Sequence, residues 1–194
     1  MSSEATLFLA VRVLPPAIES SSHLLTEVAG LGPVVRPVRV DGLHLTLQFL
    51  GRVRLDQEGQ VGEAARRTAG RHLTFTLALA GLGSFSAASR PQVIWLGVGS
   101  GGGELEALAV SLRSELKAAG LPFDRRRFQA HCTLARVSGD LGAAAEAGLR
   151  RIAARAEPGP ASSFPVRELH LLESVAEPGG PNRYPTRATF PLAT

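Results

Sequence analysis

One four-residue pattern occurs twice in this chain and limits what the rest can fold into. His44-Leu45-Thr46-Leu47 returns as His131-Cys132-Thr133-Leu134, the two histidines 87 residues apart. Both copies sit in short apolar runs that read as β-strands, and a strand turns successive side chains to opposite faces. In each copy the His and the Thr therefore share one face, roughly 6–7 Å apart along the strand. Leu45 and Leu47, and Cys132 and Leu134, point the other way, into a core. A separation of a little under half the chain is too long for a short-period array. It predicts two similar halves, each presenting one imidazole and one hydroxyl to a shared cleft.

The remaining segments alternate strands and helices. Residues 6–13 read as a buried strand ended by Pro15-Pro16, followed by a helix to about Gly30 with Leu24, Leu25 and Val28 at helical spacing. Residues 36–40 read as a short extended piece, and Asp41-Gly42 as a turn into the first motif. A helix over about 56–71 and an alternating strand over 73–79 follow, then a strand over 92–98. The run Gly99-Ser100-Gly101-Gly102-Gly103 lacks the Gly-Lys-Ser/Thr of a phosphate loop, so a flexible connection is expected. Leu105, Leu108, Leu112 and Leu116 mark a helix over about 104–119. An Ala-rich helix over about 141–156 closes at Pro158-Gly159-Pro160. Strands near 166–175 and 184–192 complete the pattern. The expected fold is α+β and bilobal: two pseudo-symmetric antiparallel-sheet and helix lobes around a central cleft, forming one domain over residues 1–194.

Two histidines facing one cleft are a general acid–base pair, since imidazole titrates near neutrality. Transfer at a phosphodiester needs both halves: the attacking oxygen loses a proton and the departing oxygen gains one. The threonine hydroxyls are placed to hydrogen-bond non-bridging phosphate oxygens. A lone strand histidine is usually structural; the repetition of the motif is what favours chemistry. Neither motif offers a carboxylate or third histidine at metal-ligand spacing, and a single cysteine excludes a cysteine-based zinc site. His23 and His72 read as surface residues, His170 as structural, and Cys132 as inert packing. The net charge of +4 comes from 21 basic residues of which Lys117 is the only lysine. Arginine suits phosphate, but a composition bias explains the count equally well. No apolar run approaches a membrane span, and a cytoplasmic location is expected.

The paired motifs resemble the twin His-x-Thr pattern of the 2H phosphoesterase superfamily, in its RNA 2′,3′-cyclic phosphodiesterase (2′-5′ RNA ligase) branch. Similar context covers nearly the whole chain: Leu7-Phe8-Leu9-Ala10-Val11, Asp41-Gly42-Leu43, Phe49-Leu50-Gly51, Val93-Ile94-Trp95-Leu96-Gly97, Leu134-Ala135-Arg136, and Ser174 followed by Gly180 and Tyr184. Ala130 stands where the family often has proline. The resemblance implies metal-, cofactor- and ATP-independent opening of a 2′,3′-cyclic phosphate at an RNA end to a 2′-phosphate, with possible reversal to a 2′-5′ linkage. It implies His44 as proton donor and His131 as proton acceptor, with Thr46, Thr133 and Arg136 on the phosphate. Arg136 conflicts with strict alternation, which aims it away from His131; a bulge or the strand's end would resolve the conflict. Phe49, Arg127 and Tyr184 are candidate RNA contacts, although a core role is the stronger expectation for Phe49. The implied partners are RNAs with cyclic phosphate ends, tRNA halves among them, with no obligate protein partner and no membrane. The alternatives are a phosphodiesterase for 2′,5′-linked oligonucleotides or small cyclic nucleotides, and a non-catalytic nucleotide-binding module.

Overall fold

The computed structural model describes residues 3–87, 90–155 and 162–194. Its strands are β1 (Glu4–Arg12), β2 (Val35–Pro37), β3 (His44–Arg54), β4 (Phe75–Ala87), β5 (Arg90–Ser100), β6 (Cys132–Val137), β7 (Ser163–Val166), β8 (Glu168–Glu173) and β9 (Thr186–Pro191). Its helices are α1 (Ala17–Ala29), α2 (Glu58–Ala69), α3 (Gly102–Ala118) and α4 (Gly142–Arg155). The strands form one antiparallel sheet in the order β7-β4-β5-β6-β3-β1-β8-β9, with β2 also paired to β6 over Ala135–Val137.

The order reads as two halves of four strands: β6 and β3 meet at the centre, β6 followed outward by β5, β4 and β7, and β3 by β1, β8 and β9. Repetition of the motif predicted two lobes, and the α+β bilobal expectation holds. The lobes share one sheet, however, because β3 and β6 pair directly through Leu45 and Cys132. One apolar cluster collects Val28 of α1, Ala65 of α2, Leu108 of α3 and Ile152 of α4 with Leu9, Leu45, Ile94 and Leu134 of the sheet. All four helices therefore cover the same face of the sheet. The α3 stripe Leu105, Leu108, Leu112 and Leu116 is fully buried, each leucine contributing about 1.5–3 kcal/mol relative to exposure. The other face carries both His-x-Thr pairs.

Three expectations need correction. The glycine run is not a flexible connection: Gly99 and Ser100 end β5, Gly101 takes φ +77°, and Gly102 starts α3. A Cβ on Gly101 would lie 2.4 Å from the Thr76 carbonyl oxygen, so glycine is there for close packing. The strand expected over 73–79 runs instead to Ala87, because the Gly- and Ser-rich residues after Ala80 pair with β5. The strand expected over 166–175 is two strands in opposite halves, β7 against β4 and β8 against β1. The expected stop at Pro158-Gly159-Pro160 lies outside the described residues.

Candidate active site

The Leu45–Cys132 pair fixes the geometry of the seam. Paired residues share a face, and both of these side chains are fully buried on the helix side. Extending the antiparallel register by one residue either way sets His44 beside Thr133 and Thr46 beside His131, all on the open face. Opposed Cα atoms lie about 4.5–5.5 Å apart, so the four groups form a compact quadrilateral with the histidines on one diagonal. Each imidazole is oriented in the same way. Nδ1 of His44 donates to the Gly42 carbonyl at 2.7 Å, and Nδ1 of His131 donates to the Gln129 carbonyl at 2.7 Å. Both Nε2 atoms are thereby left for the cleft.

Past the motifs, the two strands make the same irregularity. In the β1–β3 ladder Ala10 faces Thr46 and Leu9 faces Gln48, leaving Leu47 as an extra residue. In the β5–β6 ladder Trp95 faces Thr133 and Ile94 faces Ala135, leaving Leu134 extra. Each bulge reverses the alternation that follows it. Ala135 becomes core, and Arg136 shares a face with Val93, which places it on the histidine side and exposed. The bulge required for Arg136 is thus present. The same shift corrects the expectation for Phe49: it pairs with Phe8, lies on the histidine face and is 42% exposed instead of being core. Phe49 and Arg136 occupy equivalent places in the two halves.

Aromatic rings pack around both imidazoles. His44 lies 4.9 Å from Phe8 and 4.8 Å from Tyr184, the latter edge-on. His131 lies 4.8 Å from Phe85, edge-on, and 6.4 Å from Trp95. Tyr184 reaches His44 because Gly42 leaves room, a Cβ there falling 3.2 Å from the ring. Arg12, opposite His44 in the ladder, secures this corner by donating to the Tyr184 carbonyl at 2.6 Å and to Thr186 Oγ1 at 3.0 Å. Burial is the main cause that lowers the His44 pKa to about 4, assisted by Arg12, His131 and Arg136, while the Gly42 carbonyl opposes the shift.

Sequence reasoning missed Arg12, Phe8 and Phe85, whose places depend on long-range ladder register. Only the alternation of Phe8 with core residues in residues 6–13 hinted at a second face. Arg127 is exposed on the segment leading to His131, and among the described residues no hydrogen bond or ion pair ties it to the quadrilateral. His23 is exposed and forms a 3.6 Å pair with Glu27; His72 bonds Ser111 at 2.9 Å. His170 is 7% exposed beside Glu168 and Thr189, and burial lowers its pKa. The buried Cys132 thiol is pushed up to about 12, which keeps it protonated. Among the described residues no group of three or more His, Cys, Asp or Glu is placed to hold a metal ion. No helix among them is long and apolar enough to cross a membrane.

A family model described as the 2′-5′ RNA ligase superfamily matches residues 32–177, which contain both motifs. The chain belongs to that superfamily. The RNA 2′,3′-cyclic phosphodiesterase of Aeropyrum pernix is 32% identical over 160 residues, 82% of this chain and 88% of its own. That of Archaeoglobus fulgidus is 31% identical over 175 residues, 90% and 94% of the two chains. Among solved structures, Escherichia coli LigT complexed with 3′-AMP superposes with a TM-score of 0.77 at 30% identity, covering 99% of this chain and 100% of that one. Usb1 of Kluyveromyces marxianus, at 14% identity and a TM-score of 0.55, shares the fold.

Proposed function

We propose that this superfamily member opens the 2′,3′-cyclic phosphate at the end of an RNA and leaves a 2′-phosphate. The observation that carries the reading is the pair of imidazoles on one diagonal of the seam, each with Nδ1 committed to a backbone carbonyl and Nε2 left for the cleft. The names of the relatives from A. pernix and A. fulgidus support the substrate class.

The phosphate sits between the two Nε2 atoms, with the Thr46 and Thr133 hydroxyls and the Arg136 guanidinium on its non-bridging oxygens. Neutral His131 takes a proton from water as the water oxygen bonds to phosphorus. The bond from phosphorus to O3′ breaks, and His44 gives its proton to O3′. The products are a 2′-phosphomonoester and a 3′-hydroxyl. When the 5′-hydroxyl of a second RNA replaces water, the same steps make a 2′-5′ linkage. No step requires a metal, ATP or another cofactor.

The donor role of His44 depends on the substrate. From protein groups alone its pKa is about 4, and the charges acting on it are all cationic. The anionic phosphodiester supplies the missing counter-charge and raises the pKa on binding. Phe49, exposed on the same face, stacks the terminal base, and Tyr184 confines it from the His44 side. The natural substrates are RNAs ending in a cyclic phosphate, tRNA halves among them, met in the cytoplasm.

His44→Ala and His131→Ala test the assignment. Each is expected to slow opening of an RNA cyclic phosphate by about 100- to 10,000-fold without unfolding the chain. A variant that stays folded and turns over near the wild-type rate removes its histidine from the mechanism.

A further inference from the structure

A cavity of about 510 Å³ lies apart from the seam, at the C-terminal end of α3. It is lined by Arg113, Lys117 and Arg125, with Leu121 and Phe123 as apolar wall and Gly120 at its rim. No carboxylate lines it. Asp124, the nearest one in sequence, is held by the backbone and guanidinium of Arg126. None of the three cations has an ion-pair partner within 4 Å among the described residues, unlike Arg67 and Arg71, which both pair with Glu115 of α3. Arg113 Nη2 donates to the Arg126 carbonyl, while its Nε is buried without an acceptor. Three cations without an ion-pair contact, of which Arg113 also feels the Asp124 carboxylate at longer range, surround an apolar wall and make an anion site with room for a flat group.

The wall of this cavity connects to the cleft. Asp124 N donates to the Phe49 carbonyl at 2.8 Å, and Gln48 Nε2 donates to the Asp124 carbonyl at 2.6 Å. Arg125, which lines the cavity, is therefore the next residue after one bonded to the strand that carries His44, Thr46 and Phe49. The segment then continues to His131. The link between the cleft and the cavity is thus the backbone of Asp124 and Arg125, fastened to β3 at Gln48 and Phe49.

We infer that this cavity is a second phosphate site, which holds an internucleotide phosphate of the RNA body while the cyclic end occupies the seam. The inference rests on the proposed RNA substrate. It assigns Lys117, Arg125 and Arg113 the task of distinguishing a polynucleotide from a mononucleotide, with Phe123 as a surface for the adjoining base.

Lys117 and Arg125 are exposed, so reversing their charge leaves the core intact. Lys117→Glu/Arg125→Glu is expected to raise KM at least tenfold for an oligoribonucleotide of about a dozen residues ending in a cyclic phosphate. The salt dependence of that KM should become shallower, each lost phosphate contact removing about 0.7 from the logarithmic slope. Turnover of a 2′,3′-cyclic mononucleotide should not change. Equal parameters for variant and wild type on the long RNA overturn the inference. Equal losses on both substrates overturn it as well, since they place the effect in the seam.

A second measurement does not depend on turnover. Lys117 is the only lysine, so reductive methylation with carbon-13 leaves one side-chain NMR probe besides the terminal amine. A dozen-residue RNA is expected to shift that signal, and 3′-AMP is not. A Lys117 resonance unmoved by saturating RNA refutes the second site even if the seam proves catalytic. A shift without any hydrolysis keeps the site and refutes the activity.

Discussion

The clearest quantitative consequence of the seam is that His44 makes this protein lose stability in mild acid. Its folded pKa is about 4 against 6.5 for the free side chain. Between those values the unfolded chain binds a proton that the folded chain refuses, so stability rises with pH across that window. The contribution is fully present above about pH 6.5 and is lost as pH falls to 4. At about 1.4 kcal/mol per pKa unit the loss reaches up to about 3 kcal/mol. His44→Gln keeps an N–H for the Gly42 carbonyl and cannot titrate. Urea unfolding of both chains from pH 7.5 to 4, with stability taken from midpoint and slope, isolates the residue. The carboxylates, and the burial-lowered His72 and His170, are present in both chains and cancel in the difference. Wild type is expected to lose up to about 3 kcal/mol more than the variant, and inorganic phosphate should reduce that excess by favouring protonated His44. A pH-independent difference, or a wild type that gains on the variant in acid, refutes the argument from burial.

Further outcomes follow from the same contacts. Arg136→Gln removes a cation that acts on His44, so NMR titration should show the His44 pKa rising, alongside a higher KM for the cyclic phosphate. Phe49→Ala is expected to weaken binding of the terminal nucleotide by about 1–3 kcal/mol, read as KM, without altering thermal stability, because the ring is exposed. Gly83→Ala sets a Cβ 2.4 Å from two carbons of the Trp95 ring. It should cost about 1–3 kcal/mol in urea unfolding and shift the emission of the chain's one tryptophan.

The sequence showed the two-lobed plan and the four residues of the quadrilateral because the motif is repeated and period-2 alternation is a local property. It could not show what the ladders add. Arg136 and Phe49 reach the histidine face through single extra residues at Leu134 and Leu47, and those bulges are set by pairing with β5 and β1. Arg12 and Phe8 come from a strand more than 30 residues before His44, and Phe85 lies where Gly and Ser content reads as loop. The glycine run illustrates the opposite error. Its composition suggested slack, but Gly101 is fixed by the Thr76 carbonyl beside it.

In the proposed reaction water attacks the cyclic phosphorus and the bond to O3′ breaks under the control of the two histidines. Hydrolysis of a cyclic-phosphate RNA in oxygen-18 water containing EDTA, followed by mass spectrometry and phosphorus NMR, tests it directly. The expected product is a 2′-phosphomonoester carrying one oxygen-18 with an unlabelled 3′-hydroxyl, formed about 100- to 10,000-fold more slowly in both His44→Ala and His131→Ala. A 3′-phosphate product, or label incorporation near the wild-type rate in either folded alanine variant, refutes it.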